Sequence, residues 1–226
     1  LVCLTPGESI SMKENNKEFP SKGWILAFHP DLICGTPLGL NIHNYTFFSY
    51  CPEEALHLSL REKQIILEFL ERIRQELERC IDRHSKKIIS KYIELLLDYC
   101  TRFYERQFIT RSEVNKKVFR EFNHLLDNHF NVKVSLSTDV LSDEYCANLL
   151  HLSPAYFNDL LKYEIGKEFK EYIQFKRFEI AKGWLVNTDK TLGQIAQELG
   201  FSNSQYFSRL FKKITGCSPN EFRMPN

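Results

Sequence analysis

Near the end of the chain Gln205, Ser208, Arg209 and Lys212 stand at i, i+3, i+4 and i+7, with Ser204 just before them. At helical spacing these side chains share one face, and each ends in hydrogen-bonding atoms. The chemistry on offer is recognition. An Arg or Lys at such a place matches the O6 and N7 of guanine, and an Asn or Gln matches the N6 and N7 of adenine. Lys213 and the capped helix N-termini suit phosphate oxygens instead. No catalytic role is assigned to any of these residues.

Two elements must position that face. Phe207, Leu210, Phe211 and Ile214 form a second stripe on the same helix and give it a side to bury. Before it, Leu192, Ile195, Ala196 and Leu199 repeat at i, i+3, i+4 and i+7, with Thr191 and Gln194 spaced as a capping box. Gly200 supplies a residue free to take positive φ and end this first helix, and Ser202 and Asn203 are N-cap candidates for the second. Two short helices joined by a tight glycine-containing turn form a helix-turn-helix unit.

Across Ile195–Arg223 the pattern I-A-x-x-x-G-F-x-x-x-x-Y-F-x-R-x-F-K-K-x-x-G-x-S-P-x-x-F-R resembles the second helix-turn-helix of the AraC/XylS family of bacterial transcription regulators. The resemblance implies sequence-specific binding to double-stranded DNA, a homodimer, and a separate sensor domain. It also leaves room for a small-molecule effector at that sensor and for contact with RNA polymerase.

The unit occurs twice. Residues 147–172 are a diverged copy of 196–222: a shift of 49 pairs Ala147 with Ala196, Leu150 with Leu199 and Ser153 with Ser202. After one inserted residue a shift of 50 pairs Tyr156, Phe157, Leu160, Lys162, Gly166 and Glu171 with Tyr206, Phe207, Leu210, Lys212, Gly216 and Glu221. Ser153 followed by Pro154 reads as an N-cap with proline at N1, and Ser218-Pro219 with Glu221 repeats that logic for a closing helix. The family's base-facing slots then fall on Ala155, Asn158, Asp159 and Lys162 in the first unit and on Ser204, Gln205, Ser208, Arg209 and Lys212 in the second. Between the units, Lys167 to Leu185 reads as one helix with Phe169, Tyr172, Ile173, Ile180, Ala181 and Trp184 facing the cores. Such a helix spans roughly 28 Å, and successive major grooves on one face of B-DNA lie ~34 Å apart. One chain is thus expected to offer two reading heads to adjacent grooves.

The 226 residues carry a net charge of +1. From Arg111 onward there are 16 Lys and Arg against 14 Asp and Glu, so any positive field must be local. Seven scattered cysteines without a C-x-x-C pair favour free thiols in a reducing cytoplasm over a disulfide framework or zinc site. No apolar run approaches the ~20 residues that a membrane span needs, so no membrane partner is expected, and no cofactor is implied. The chain opens on Leu1, as the interior of a longer protein would.

The expected class is mainly α: a tandem helix-turn-helix domain joined by a long connector helix, preceded by a helical hairpin and a small β remnant of a cupin-like domain. Residues 1–60 are broken by Pro6, Pro20, Pro30, Pro37, Pro52 and several glycines, and Trp24–Phe28 and Tyr45–Tyr50 read as strands. The segments GWILAFHPDLICGTPLG and FFSYCPEEALHLSLREKQ resemble the end of the cupin-like sensor domain in AraC-type regulators of Bacteroidetes, as a truncated remnant. His29, His43 and His57 lack the spacing of a metal-ligand motif. Residues 61–110 read as a hairpin suited to dimerisation. One helix runs from Leu60 to Asp82 with Ile66, Leu70, Ile73, Leu77 and Cys80 as its stripe; a second runs from Ser85 to Gln107 with Ile89, Ile93, Leu96, Cys100 and Phe103. Ile88, Tyr92, Leu95 and Tyr99 add a further apolar stripe. After a polar linker at Arg111–Asn115, a helix from Lys116 to His129 opens the DNA-binding domain of residues 111–226, whose two units occupy about 141–166 and 191–216. Two rivals remain: a DNA-repair or cupin-type enzyme with this motif as a delivery module, and an adaptor that no longer touches DNA.

Overall fold

The computed structural model describes residues 1–8, 23–131 and 141–223; Pro20, among the turn formers above, lies outside them. The chain divides into two compact units, Leu1–Ser112 and Glu113–Asn226. Among the described residues every regular element is helical.

The first unit contains α1 (Pro30–Ile33), α2 (Pro37–Asn41), three 3-10 turns, and the long helices α3 (Leu60–Glu78) and α4 (Ser85–Thr110). Helix α3 starts at a full capping box between Ser59 and Glu62. Ile66 and Ile73 from α3 meet Ile89, Ile93, Leu96, Cys100 and Phe103 from α4 in one core. Helix α4 also holds the segment before the hairpin through polar contacts. Ser90 donates its hydroxyl to Thr36 (3.0 Å) and Tyr45 donates to Asp98 (2.8 Å). The buried Gln107 side chain accepts from the His57 N–H (2.8 Å) and donates to the Ala55 carbonyl (3.3 Å). Arg106 bonds both the His57 carbonyl and the Glu62 carboxylate.

The expected strands do not form. Trp24–Phe28 has no ladder partner among the described residues, and Ile25 is 93% exposed. Tyr45–Tyr50 folds into a 3-10 turn whose backbone satisfies itself locally, with Tyr45, Phe48 and Tyr50 N–H groups bonded three residues back. Its apolar residues are used against α4 instead, where Phe47 stacks on Tyr104 at 5.4 Å. His29, noted above, caps α1 by accepting from the Asp31 N–H.

The first helix of the hairpin is shorter than its periodicity suggests, while the second runs on past Gln107 to Thr110. Helix α3 stops at Glu78 because Arg79 turns extended, and the Asp82 carboxylate accepts from the His84 and Ser85 N–H groups to close the loop. Leu77 and Cys80 therefore lie exposed. The extra stripe divides: Tyr92 and Tyr99 pack on the core, while Ile88 and Leu95 face outward.

All of α5 (Ser112–Asn131) but its first residue belongs to the second unit, so the linker expected at Arg111–Asn115 reduces to a turn at Arg111. Ser112 and Glu113 are suited to a helix start, where an acidic first turn complements the macrodipole, and Glu113 pairs with Lys116 at 3.2 Å. The remaining helices are α6 (Asp143–Leu149), α7 (Pro154–Ile165), α8 (Phe169–Asn187), α9 (Leu192–Glu198), α10 (Ser204–Thr215) and α11 (Pro219–Arg223).

The repeat is physical as well as textual. Helices α6 and α9 have seven residues each and α7 and α10 twelve. After each short helix one residue takes positive φ, His151 at 56° and Gly200 at 73°, and the next N–H returns to Ala147 or Ala196. A side chain with a Cβ is disfavoured by about 1–2 kcal/mol in that conformation, so the first unit carries strain at His151 that glycine spares the second. The caps are Ser153, accepting from Tyr156 N–H, and Asn203, accepting from Tyr206 N–H. Asn203, not Ser202, is thus the counterpart of Ser153, which puts the inserted residue inside the turn. Gly166 and Gly216 end the long helices in the left-handed region.

Connector α8 serves two cores. Phe169, Tyr172 and Ile173 join Phe122, Leu126, Cys146, Ala147, Phe157 and Leu161 in the first. Phe178, Ala181 and Leu185 join Ile195, Ala196, Leu199, Phe207 and Phe211 in the second. Closing helix α11 begins with the expected reciprocal pair, Ser218 and Glu221. Its Arg223 donates to the Leu185 and Lys190 carbonyls, which fixes the link between α8 and α9.

Candidate nucleic-acid interface

On α10 the buried stripe is Phe207 and Phe211, with Leu210 half-buried; Ile214, expected in the core, is 50% exposed at the last turn. The opposite face carries Gln205, Arg209 and Lys212, all exposed, and Lys213 lies exposed beside them. Ser204 opens the helix, and Ser208 donates its hydroxyl to the Ser204 carbonyl at 2.7 Å, which leaves only acceptor capacity outward. The Arg209 guanidinium lies 5.6 Å from the Tyr206 ring centroid, a cation–π contact that limits how far this long side chain wanders. Tyr206 was not among the expected site residues. An aromatic three residues before an arginine on one helix was the signal for it.

On α7, Phe157, Leu160 and Leu161 are buried and Lys162 is exposed, while Ala155, Asn158 and Asp159 are half-buried. Asn158 donates its amide to the Asp143 carboxylate on α6 at 2.9 Å. Those two residues are fifteen positions apart, and no local spacing announces their pairing. The helix pairs differ in charge: α6 and α7 carry Asp143, Glu144, Asp159 and Glu164 against Lys162, and α9 and α10 carry Arg209, Lys212 and Lys213 against Glu198. The local positive field belongs to α10.

A polar cluster lies where α8 passes from one core to the other. Arg177 Nε is buried with no hydrogen-bond partner among the described residues, and its guanidinium lies 6.0 Å from the Phe201 ring centroid. Burial, with the Arg177 charge beside it, holds His129 below the ordinary imidazole range. A histidine whose folded pKa is depressed prefers to be neutral in the fold. Its contribution is therefore complete above the unfolded value near ~6.5 and declines as pH falls through that value. Urea denaturation of the wild type is expected to show falling stability on going from pH 7.5 to 5.5, and His129→Gln should flatten that slope. An unchanged slope in the variant would assign the dependence to other groups.

Four of the seven thiols are shifted away from nucleophilic chemistry. Burial pushes Cys3 and Cys146 up to about 11 and Cys100 up to about 12, and Cys51 is raised as well. A reactive cysteine needs the opposite shift. Among the described residues no group of three or more His, Cys, Asp or Glu is placed to hold a metal ion, and no helix is long and apolar enough to cross a membrane.

Residues 146–224 match the model of a helix-turn-helix domain family. The chain is similar to the uncharacterized HTH-type transcriptional regulator YtdP of Bacillus subtilis, at 33% identity over 111 residues, covering 49% of this chain and 14% of the relative. A second relative, the uncharacterized HTH-type transcriptional regulator YijO of Escherichia coli, aligns at 24% identity over 222 residues, covering 98% of this chain and 75% of the relative. Among solved structures, the C-terminal domain of AraT, a response regulator from Geobacillus stearothermophilus, is 33% identical and superposes with a TM-score of 0.40, covering 47% of this chain and 83% of that one. Residues 146–224 thus carry a helix-turn-helix domain of the AraC type. The chain spans less than half the length of several of the curated relatives that it matches.

Proposed function

We propose that the chain is the reading portion of a sequence-specific transcription regulator, with α7 and α10 entering successive major-groove segments of double-stranded DNA. The observation that carries this reading is α10 itself: Phe207 and Phe211 anchor one face in a core while Gln205, Arg209 and Lys212 stand free on the other. Connector α8, 19 residues long, spans roughly 28 Å, close to the groove repeat. Arg209 is assigned to a guanine, Gln205 to an adenine, and Lys213 to the phosphate backbone. Asp159 occupies the slot of Arg209 in the first head; a carboxylate there either accepts from cytosine N4 or pairs with Lys162 three residues on, and it is repelled by phosphate, so α10 supplies most of the affinity.

The remaining assignments rest on sequence. Residues 1–60 are read as the end of a cupin-like sensor domain, which would take a small-molecule effector, and residues 61–110 as a dimerisation hairpin offering Ile88 and Leu95. RNA polymerase is the further partner, the cytoplasm the place of action, and no cofactor or catalytic step is involved.

Selection of binding sites from random duplexes tests the reading. Enrichment of a site with two informative blocks about one helical turn apart is the expected outcome. Equal retention of all duplexes, with only salt governing affinity, would overturn it.

A further inference from the structure

We infer that Asp143, on the helix preceding the first reading helix, is a positioning residue that sets Asn158 for adenine. The inference rests on the reading of α7 as a DNA-facing helix. Its structural basis is the 2.9 Å hydrogen bond between Asn158 Nδ2 and Asp143 Oδ2.

An asparagine amide can usually be turned over without a visible difference, because its oxygen and nitrogen are nearly alike in size. Here chemistry decides the orientation. An ionised carboxylate has no hydrogen to donate, so the amide atom facing Asp143 must be the nitrogen. Asn158 spends one of its two N–H bonds on Asp143 and keeps one N–H and its oxygen. That remaining pair, one donor beside one acceptor, is the complement of adenine N7 and N6 in the major groove. Without the brace the terminal torsion of the amide is broad and roughly two-fold, and the donor and acceptor exchange places at little cost.

The second head is built differently at the same place. The counterpart of Asn158 is Ser208, whose hydroxyl hydrogen is already given to the Ser204 carbonyl. The counterpart of Asp143 is Leu192, which has no polar atom to offer. The brace thus belongs to the first head, where it also places a negative charge near the DNA. Asp143 is expected to raise discrimination and to lower general affinity at the same time, a combination that a purely structural contact would not produce.

The test measures affinity of the full chain for the selected site, for its single-base variants under the first head, and for random duplex. In the wild type one first-head position should favour adenine by about tenfold or more. Asp143→Ala should reduce that preference below about threefold while affinity for random duplex rises. Asp143→Asn, whose amide can donate to the Asn158 oxygen as well as accept from its nitrogen, no longer fixes the orientation and should reduce the preference as Asp143→Ala does. Asn158→Ala should abolish it, and adding Asp143→Ala to that variant should change nothing further at this position. Undiminished preference at the Arg209 position in every variant reports that the domain remains folded and bound. Asp143→Ala with adenine preference intact would overturn the inference, as would a selected site with no adenine requirement under the first head; in both cases the second head's specificity would leave the proposed function standing. A wild-type chain that selects no sequence would overturn both.

Discussion

Phe207→Ala is expected to destabilise the second head by about 3–5 kcal/mol, the range for removing a buried aromatic ring from a core that cannot collapse around the gap. Phe207 is fully buried, and its ring lies 5.2 Å from Phe201, 5.6 Å from Phe211 and 6.2 Å from Phe178, so the vacated space is walled by other rings. A domain's whole stability is about 5–15 kcal/mol, and such a loss leaves the head partly unfolded. Trp184, packed on the same core, reports the transition by fluorescence; the only other tryptophan is Trp24 in the first unit. Ile214→Ala on the same helix is the comparison, since that side chain is half exposed and surface substitutions usually stay within about ±0.5 kcal/mol. Equal destabilisation by both variants would mean that α10 is not seated on Phe207 as described.

Arg209→Ala is expected to cost about 1–3 kcal/mol on the selected duplex and to relax one base position. The guanidinium is exposed, so little folding energy should be lost with it, and the Tyr206 ring beneath it limits its motion before DNA arrives. Lys213→Ala, which removes a charge without a planar fork, should weaken selected and random duplexes alike. Competition binding on the two kinds of duplex separates the outcomes. An equal loss on both for Arg209→Ala would remove that residue from the reading face.

The helix-turn-helix pair was legible in the sequence because its determinants are local. Thr191 with Gln194, Ser153 before Pro154, and Gly200 each act on backbone within a few residues, and all occupy the predicted ends. Residues 1–60 were not legible for the converse reason. The apolar run at Tyr45–Tyr50 suits a strand by composition, but whether it becomes one depends on a neighbouring backbone, and the distant helix α4 takes its side chains instead. The hairpin shows the same limit. Tyr92 and Leu95 look alike in periodicity, and only the course of the preceding segment decides which is covered. In the two helix-turn-helix units, position along the helix could be deduced, but the hydrogen bonds already used by Asn158 and Ser208 could not.

Missing-base interference on a selected duplex tests the tandem reading most directly, because it registers the loss of any single base regardless of its type. Two blocks of interference centred about one helical turn, ~34 Å, apart are expected, the stronger beneath α10 and reduced in Arg209→Ala. A single block, or two blocks of which Arg209→Ala weakens neither, would contradict the assignment of α7 and α10 to successive grooves.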